Sequence, residues 1–179
     1  MQLSVIQIKE FQMYKGMLAM FLLLISDAAF AGKIDDFFSD GVFGVQWGST
    51  IDEVREVHPK GAAKEYVGIQ SYIVPHSTPV LKIKREDTDI TFTFNSEGKL
   101  HAIGVSFEGN DIAEVFSSLK SNFGENEPLS DSPRIAWPQD GNIKMYLVSI
   151  PSGFLVKPVL TIENVAPSND VSKDALGFN

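Results

Sequence analysis

Apolar and polar positions alternate most strictly at Ile90-Thr91-Phe92-Thr93-Phe94, with Ile90, Phe92 and Phe94 on one face and the threonines on the other. This two-residue period predicts a half-buried strand. Leu100–Phe107 repeats the pattern, with Ile103, Val105 and Phe107 aligned. Asn95-Ser96-Glu97-Gly98-Lys99 lies between the two and supplies turn residues that tolerate unusual backbone angles, so a hairpin is expected. Further strands are predicted at Ile69–Val74 before Pro75, Val80–Lys84 with Leu81 and Ile83 facing one way, and Arg134–Trp137 before Pro138. Ile143–Ile150 follows the turn Asp140-Gly141-Asn142, and Val159–Val165 follows a turn at Ser152-Gly153. Pro167–Asn179 is polar and reads as a tail.

Helical spacing occurs twice. Ile112, Val115, Phe116, Leu119 and Phe123 recur on one face until Gly124, predicting an amphipathic helix. A shorter helix starts at Thr50, with Ile51, Val54 and Val57 or His58 on its face, and stops at Pro59 and Gly61. Thr50-Ile51-Asp52-Glu53 has the form of a capping box, and Asp111-Ile112-Ala113-Glu114 offers the same spacing. Trp47, in the glycine-rich corner Val42–Gly48, is expected to pack against the start of the first helix. Gly32–Gly41, with Phe37-Phe38 among acids, reads as a short amphipathic turn or lead-in and lacks the ligand spacing of a calcium loop.

The N-terminal pattern differs. Met17–Ile25 is unbroken apolar sequence, preceded by Lys9 and Lys15 and followed by Ala29-Phe30-Ala31. A positive start, a short apolar centre and a small-x-small end predict a secretory signal over 1–31. A spanning helix needs about 20 apolar residues, and Asp27 interrupts this run. Met13 or Met17 would be a more ordinary start than Met1. The expected product is a single domain over 32–166 with a tail at 167–179, located in the periplasm or secreted, with no membrane span after cleavage.

Strand runs separated by two helices predict an α+β domain, its antiparallel sheet covered on one face by both helices. Ile51-Asp52-Glu53-Val54 resembles Ile112-Ala113-Glu114-Val115, Ile73-Val74-Pro75 resembles Ile135-Ala136-Trp137-Pro138, and Thr93-Phe94-Asn95 echoes Thr161-Ile162-Glu163-Asn164. Tandem units over 42–108 and 109–165 are one reading; chance recurrence of common capping and strand-ending residues is the other. Gly44–Val54, Asp111–Gly124 and the strands after each make the layout resemble the β-lactamase inhibitor protein and the small outer-membrane-assembly lipoproteins. That resemblance implies a binding role. The lipoproteins carry Cys at the cleavage site, where this chain has Gly32.

Composition narrows the chemistry. The 179 residues contain no Cys, which removes disulfides, thiolate metal sites and a cysteine nucleophile. The formal charge of -8 argues against nucleic acid. Lys82, Lys84 and Arg85 form the one tight basic group and read as surface charge. His58, His76 and His101 lack metal-ligand spacing, Gly104–Glu108 fails as a nucleophile elbow, and no phosphate-binding loop is present. No cofactor, metal or catalytic residue is assigned, and the chain is read as a non-enzyme. The expectation is an exported, noncatalytic binding or inhibitor-like protein acting on another protein. Its open sheet face is read as carrying Tyr72, Thr91, Thr93, His101 and Tyr146. The alternatives are a small periplasmic hydrolase pairing His76 or His101 with Glu86, Asp87 or Asp89, and an envelope-assembly factor.

Overall fold

A computed structural model describes residues 33–86, 88–128, 134–152 and 155–165. The predicted signal, Asp87, the turn at Gly153 and the tail lie outside them. The chain is α+β. Helix α1 (Lys33–Phe38) and helix α2 (Ile51–Val57) precede strands β1 (Ala62–Tyr66), β2 (Ile69–Pro75), β3 (Asp89–Phe94) and β4 (Leu100–Ser106). Helix α3 (Ile112–Phe123) then precedes β5 (Glu127–Pro128), β6 (Arg134–Ala136), β7 (Ile143–Ser152) and β8 (Leu155–Asn164). Among the described residues no helix is long and apolar enough to cross a membrane.

The eight strands form one antiparallel sheet in the order β1-β2-β3-β4-β8-β7-β6-β5. This order reads as two four-strand meanders, each following a helix and joined by their last strands. Ile51 and Ile112 both open their helices, and Val54 and Val115, each three residues on, are both buried. Thr93-Phe94 and Thr161-Ile162 sit on third and fourth strands of their halves and do not correspond.

Alternation builds the core. Ile90, Phe92 and Phe94 on β3 face inward with Tyr72 and Val74 of β2 and Ile103 of β4, beneath Val54 of α2. Val105, Leu160, Ile162, Met145 and Leu147 continue this face beneath Val115, Leu119 and Phe123 of α3 and Ile34 of α1. Both main helices therefore cover one side, and among the described residues no helix covers the other. Val42, Phe43 and Trp47 pack against both halves of the core. The Trp47 indole donates to Phe38 O at 2.6 Å, and Gly48 N donates to Leu100 O, tying the glycine corner to α1 and to the start of β4.

Four local expectations change. Lys33–Phe38 is a true helical turn because Asp140 Oδ2, remote in sequence, accepts from Ile34 N and Asp35 N at 3.1 and 3.0 Å, supplying the cap a six-residue helix lacks alone. Thr50 and Glu53 form their reciprocal capping box, but Asp111 makes no side-chain cap. Its backbone (φ -89, ψ 0) is not extended, and its own amide closes a turn to Glu108 O. Val80–Lys84 is a tight turn rather than a strand, with Leu81 and Lys82 at φ 56 and 65 and Ile83 N donating to Val80 O. Strand β1 is unforeseen, since all five of its residues are exposed and show no burial period.

Candidate binding face

The open side of the sheet is a lattice of short side chains. Thr91 stands between Ile73 and Gly104, and Gly104 faces Thr161 on β8. Thr93 stands between Ser71 and Ala102. Tyr146 lies opposite Thr161 and Ala136 on the β8–β7–β6 half. Its hydroxyl donates to Glu163 Oε1, and the Arg134 guanidinium lies 5.0 Å from its ring centroid. Burial and the Glu163 carboxylate push the Tyr146 phenol up to about 12, so it remains a protonated donor at neutral pH. Thr91, Thr93 and Tyr146 thus share the expected face.

Tyr72 and His101 do not join them. Tyr72 pairs with Phe92, so the pleat turns it into the core. Its ring is 1% exposed and its hydroxyl donates to His58 O, satisfying a carbonyl at the end of α2. His101 is the extra residue of a bulge. Phe94 pairs with Leu100 and Thr93 with Ala102, leaving His101 between them. It lines a cleft of about 450 Å³ with Trp47, Asn95 and Asn164 at the end of the sheet.

A more prominent feature lies on the edge. The β1–β2 hairpin pairs in register from Ala62↔Ile73 to Tyr66↔Ile69 and turns through Val67-Gly68. Tyr66, Val67 and Ile69 are 80, 82 and 52% exposed, making an apolar tip on a paired stem. Ile69 stands two and four residues before Ser71 and Ile73, so it prolongs the open face toward the tip. Val67 holds φ 49, a left-handed conformation that costs an L-residue about 1–2 kcal/mol and suits a β-branched one least. The available sequence signal was Gly68 between Ala62–Tyr66 and Ile69–Pro75, a one-glycine hairpin turn with an unfavourable residue before it.

The histidines are placed without a carboxylate partner among the described residues. His76 Nδ1 accepts from Arg85 Nη1 at 2.8 Å, and His58 Nε2 donates to Phe43 O at 3.0 Å. Arg85 is not surface charge: it is 1% exposed and donates to Ser106 O, Asp89 O and Thr78 O. Lys84, by contrast, is exposed and pairs with Glu86. No three acids or histidines among the described residues converge as metal ligands.

Burial, then the neighbouring charges of Arg85 and His58, hold the His76 pKa below its ordinary 6.5. The unfolded chain therefore binds more protons at this position as pH falls below 6.5. The stability from neutral His76 is fully present above pH 6.5 and is lost as pH drops through the lower folded value. The urea midpoint is expected to fall on going from pH 7 toward pH 5.5. His76→Asn, which keeps an acceptor near the Nδ1 position, should flatten that fall; an unchanged slope in the variant would remove His76 from the account.

No protein-family model, no curated protein and no solved structure matches the chain.

Proposed function

We propose that the chain is an exported, noncatalytic binding protein that engages another protein through the β1–β2 hairpin tip and the open sheet face behind it. Export is supported by Lys9 and Lys15, the apolar run Met17–Ile25 and the Ala29-Phe30-Ala31 end. The observation that carries the binding role is the tip itself. Tyr66, Val67 and Ile69 expose aromatic and aliphatic surface together, on a stem held by strand pairing. Exposed apolar clusters mark contact sites, and backbone strain such as that of Val67 persists where function compensates for it. Tyr is also a frequent anchor at protein interfaces. The formal charge of -8 disfavours the anionic alternatives, nucleic acid and acidic lipid.

A photocrosslinking amino acid at Tyr66 or Thr93, in the native envelope, is expected to give one discrete protein adduct. The same probe at Glu56, exposed on α2 over the covered face, is expected to give none. With the partner in hand, Tyr66→Ala combined with Val67→Asn should weaken binding about thirtyfold, the loss of one anchor of about 2 kcal/mol. Val67→Asn alone should raise the melting temperature, because Asn tolerates the left-handed backbone. Equal crosslinking from Glu56 and Tyr66 would defeat the proposal.

A further inference from the structure

A cavity of about 800 Å³ opens between α1, α3 and the Val80–Ile83 turn. Its floor is Val105, Leu160 and Ile162, side chains of the sheet core. Phe38 and Leu81 form its walls. Well-packed interiors hold few voids larger than a water molecule, whereas small-molecule sites span about 300–1,000 Å³ and combine apolar linings with a few polar groups. This cavity has that division. Its polar lining is confined to α3 and the turn, where Ser117, Ser121 and Glu114 stand with Lys82, all of them exposed.

The turn adds an independent observation. Two successive left-handed residues are ordinarily Asn-Gly or a similar pair, but here they are Leu81 and Lys82. That strained choice puts an apolar side chain in the wall and a cation at the mouth. Ser118 Oγ donates to Leu81 O at 3.4 Å, linking the turn to α3. Phe37, also at the mouth, lies edge-on to Phe123 with centroids 5.8 Å apart.

We infer that this cavity is a binding site for a single-chain amphiphile with an anionic head, chemically a long-chain carboxylate. The acyl chain lies against Phe37, Phe38 and Leu81, the part of the apolar lining that is not already covered by protein, where each buried methylene contributes about 0.8 kcal/mol. The carboxylate stays at the mouth, where Lys82 attracts it and the serine hydroxyls can donate to it. Glu114 lines the same mouth and repels the head, which orients it toward the turn. The site lies on the helix-covered side of the sheet, remote from the open face, and does not depend on the proposed protein partner.

The test is a calorimetric titration of the purified protein with dodecanoate, and separately with dodecyltrimethylammonium, both below micelle formation. Dodecanoate is expected to bind one-to-one and saturably, and about fivefold more tightly than the ammonium, the worth of one exposed charge contact. Lys82→Glu should abolish or reverse that preference, and Glu114→Gln should strengthen dodecanoate binding. Ser121→Trp puts a large side chain at the mouth from an exposed position of α3; it should remove binding while leaving the thermal midpoint unchanged. Non-saturable uptake, equal affinity for the two head groups, or full binding by a folded Ser121→Trp variant would each overturn the assignment.

Discussion

Arg85→Met is expected to destabilise the protein by about 2–4 kcal/mol, because the neutral acceptors left unpaired outweigh the relief of burying no charge. Burying a guanidinium costs several kcal/mol in lost hydration. Here that cost is offset by carbonyl acceptors: Ser106 O at 2.9 Å, Asp89 O at 3.0 Å and Thr78 O at 3.4 Å, with His76 Nδ1 at 2.8 Å. The ring of Phe107 adds a cation–π contact, 5.5 Å from the guanidinium carbon to its centroid. Methionine relieves the desolvation but strands those acceptors, each worth about 1–3 kcal/mol when left unpaired in the interior. Their number is why stranding outweighs relief. Arg85→Lys should recover little of the loss, because an ammonium cannot span acceptors from β3, β4 and the connecting loop as the planar fork does. The readout is the urea midpoint at constant slope for both variants. A change below about 1 kcal/mol for Arg85→Met would mean that water or rearranged carbonyls satisfy the site without the guanidinium.

The second large effect is expected at the glycine corner. Gly41 has φ 122, and a Cβ built there would sit 2.0 Å from Val45 O and 2.8 Å from Gln46 Cα. Both are backbone atoms, so no side-chain rotation relieves the clash. Gly41→Ala should cost about 3–5 kcal/mol, combining a backbone conformation reserved for glycine with displacement of the Val42–Val45 turn. That turn holds Val42, Phe43 and Trp47 against both halves of the core, so the loss should show as a global drop in midpoint. Gly48 is the control. Its φ is 79, but a Cβ there meets nothing within 4 Å, so Gly48→Ala should cost only the left-handed penalty of about 1 kcal/mol. Equal losses at the two glycines would show that conformation, rather than contact, governs the corner.

The strand pattern at Ile90–Phe94 was legible because three inward residues are buried and the threonines between them are not. The long helix was legible for the same reason, through Val115, Leu119 and Phe123. The candidate site was harder to read. Thr91, Thr93 and Tyr146 lie on the open face, but Tyr72 does not. Which side of a strand faces the core follows from register, and Tyr72 is registered with Phe92. His101 has the parity of the inward Ile103 and Val105, so alternation never put it on the open face. The bulge at the start of β4 sets it at the end of the sheet instead. The hairpin tip leaves no trace in the pattern, because its side chains are exposed and exposed residues carry no periodic mark.

Local chemistry alone therefore determined the α+β class, the β3–β4 hairpin, the extent of α3 and the Thr50–Glu53 cap, since each depends on residues within a few positions of one another. Tertiary structure decided the pairing of β4 with β8, the edge strand β1, the cap that Asp140 gives to α1, the burial of Arg85 and the cavity beneath α3. Each of these joins groups distant in the chain. Arg85 reads as surface charge beside Lys84, and only the convergence of carbonyls from β3, β4 and their neighbouring loop makes its burial affordable. The Val80–Ile83 turn follows the same logic: its apolar alternation matched a strand, while Ser118 and the wall of the cavity hold it as a turn.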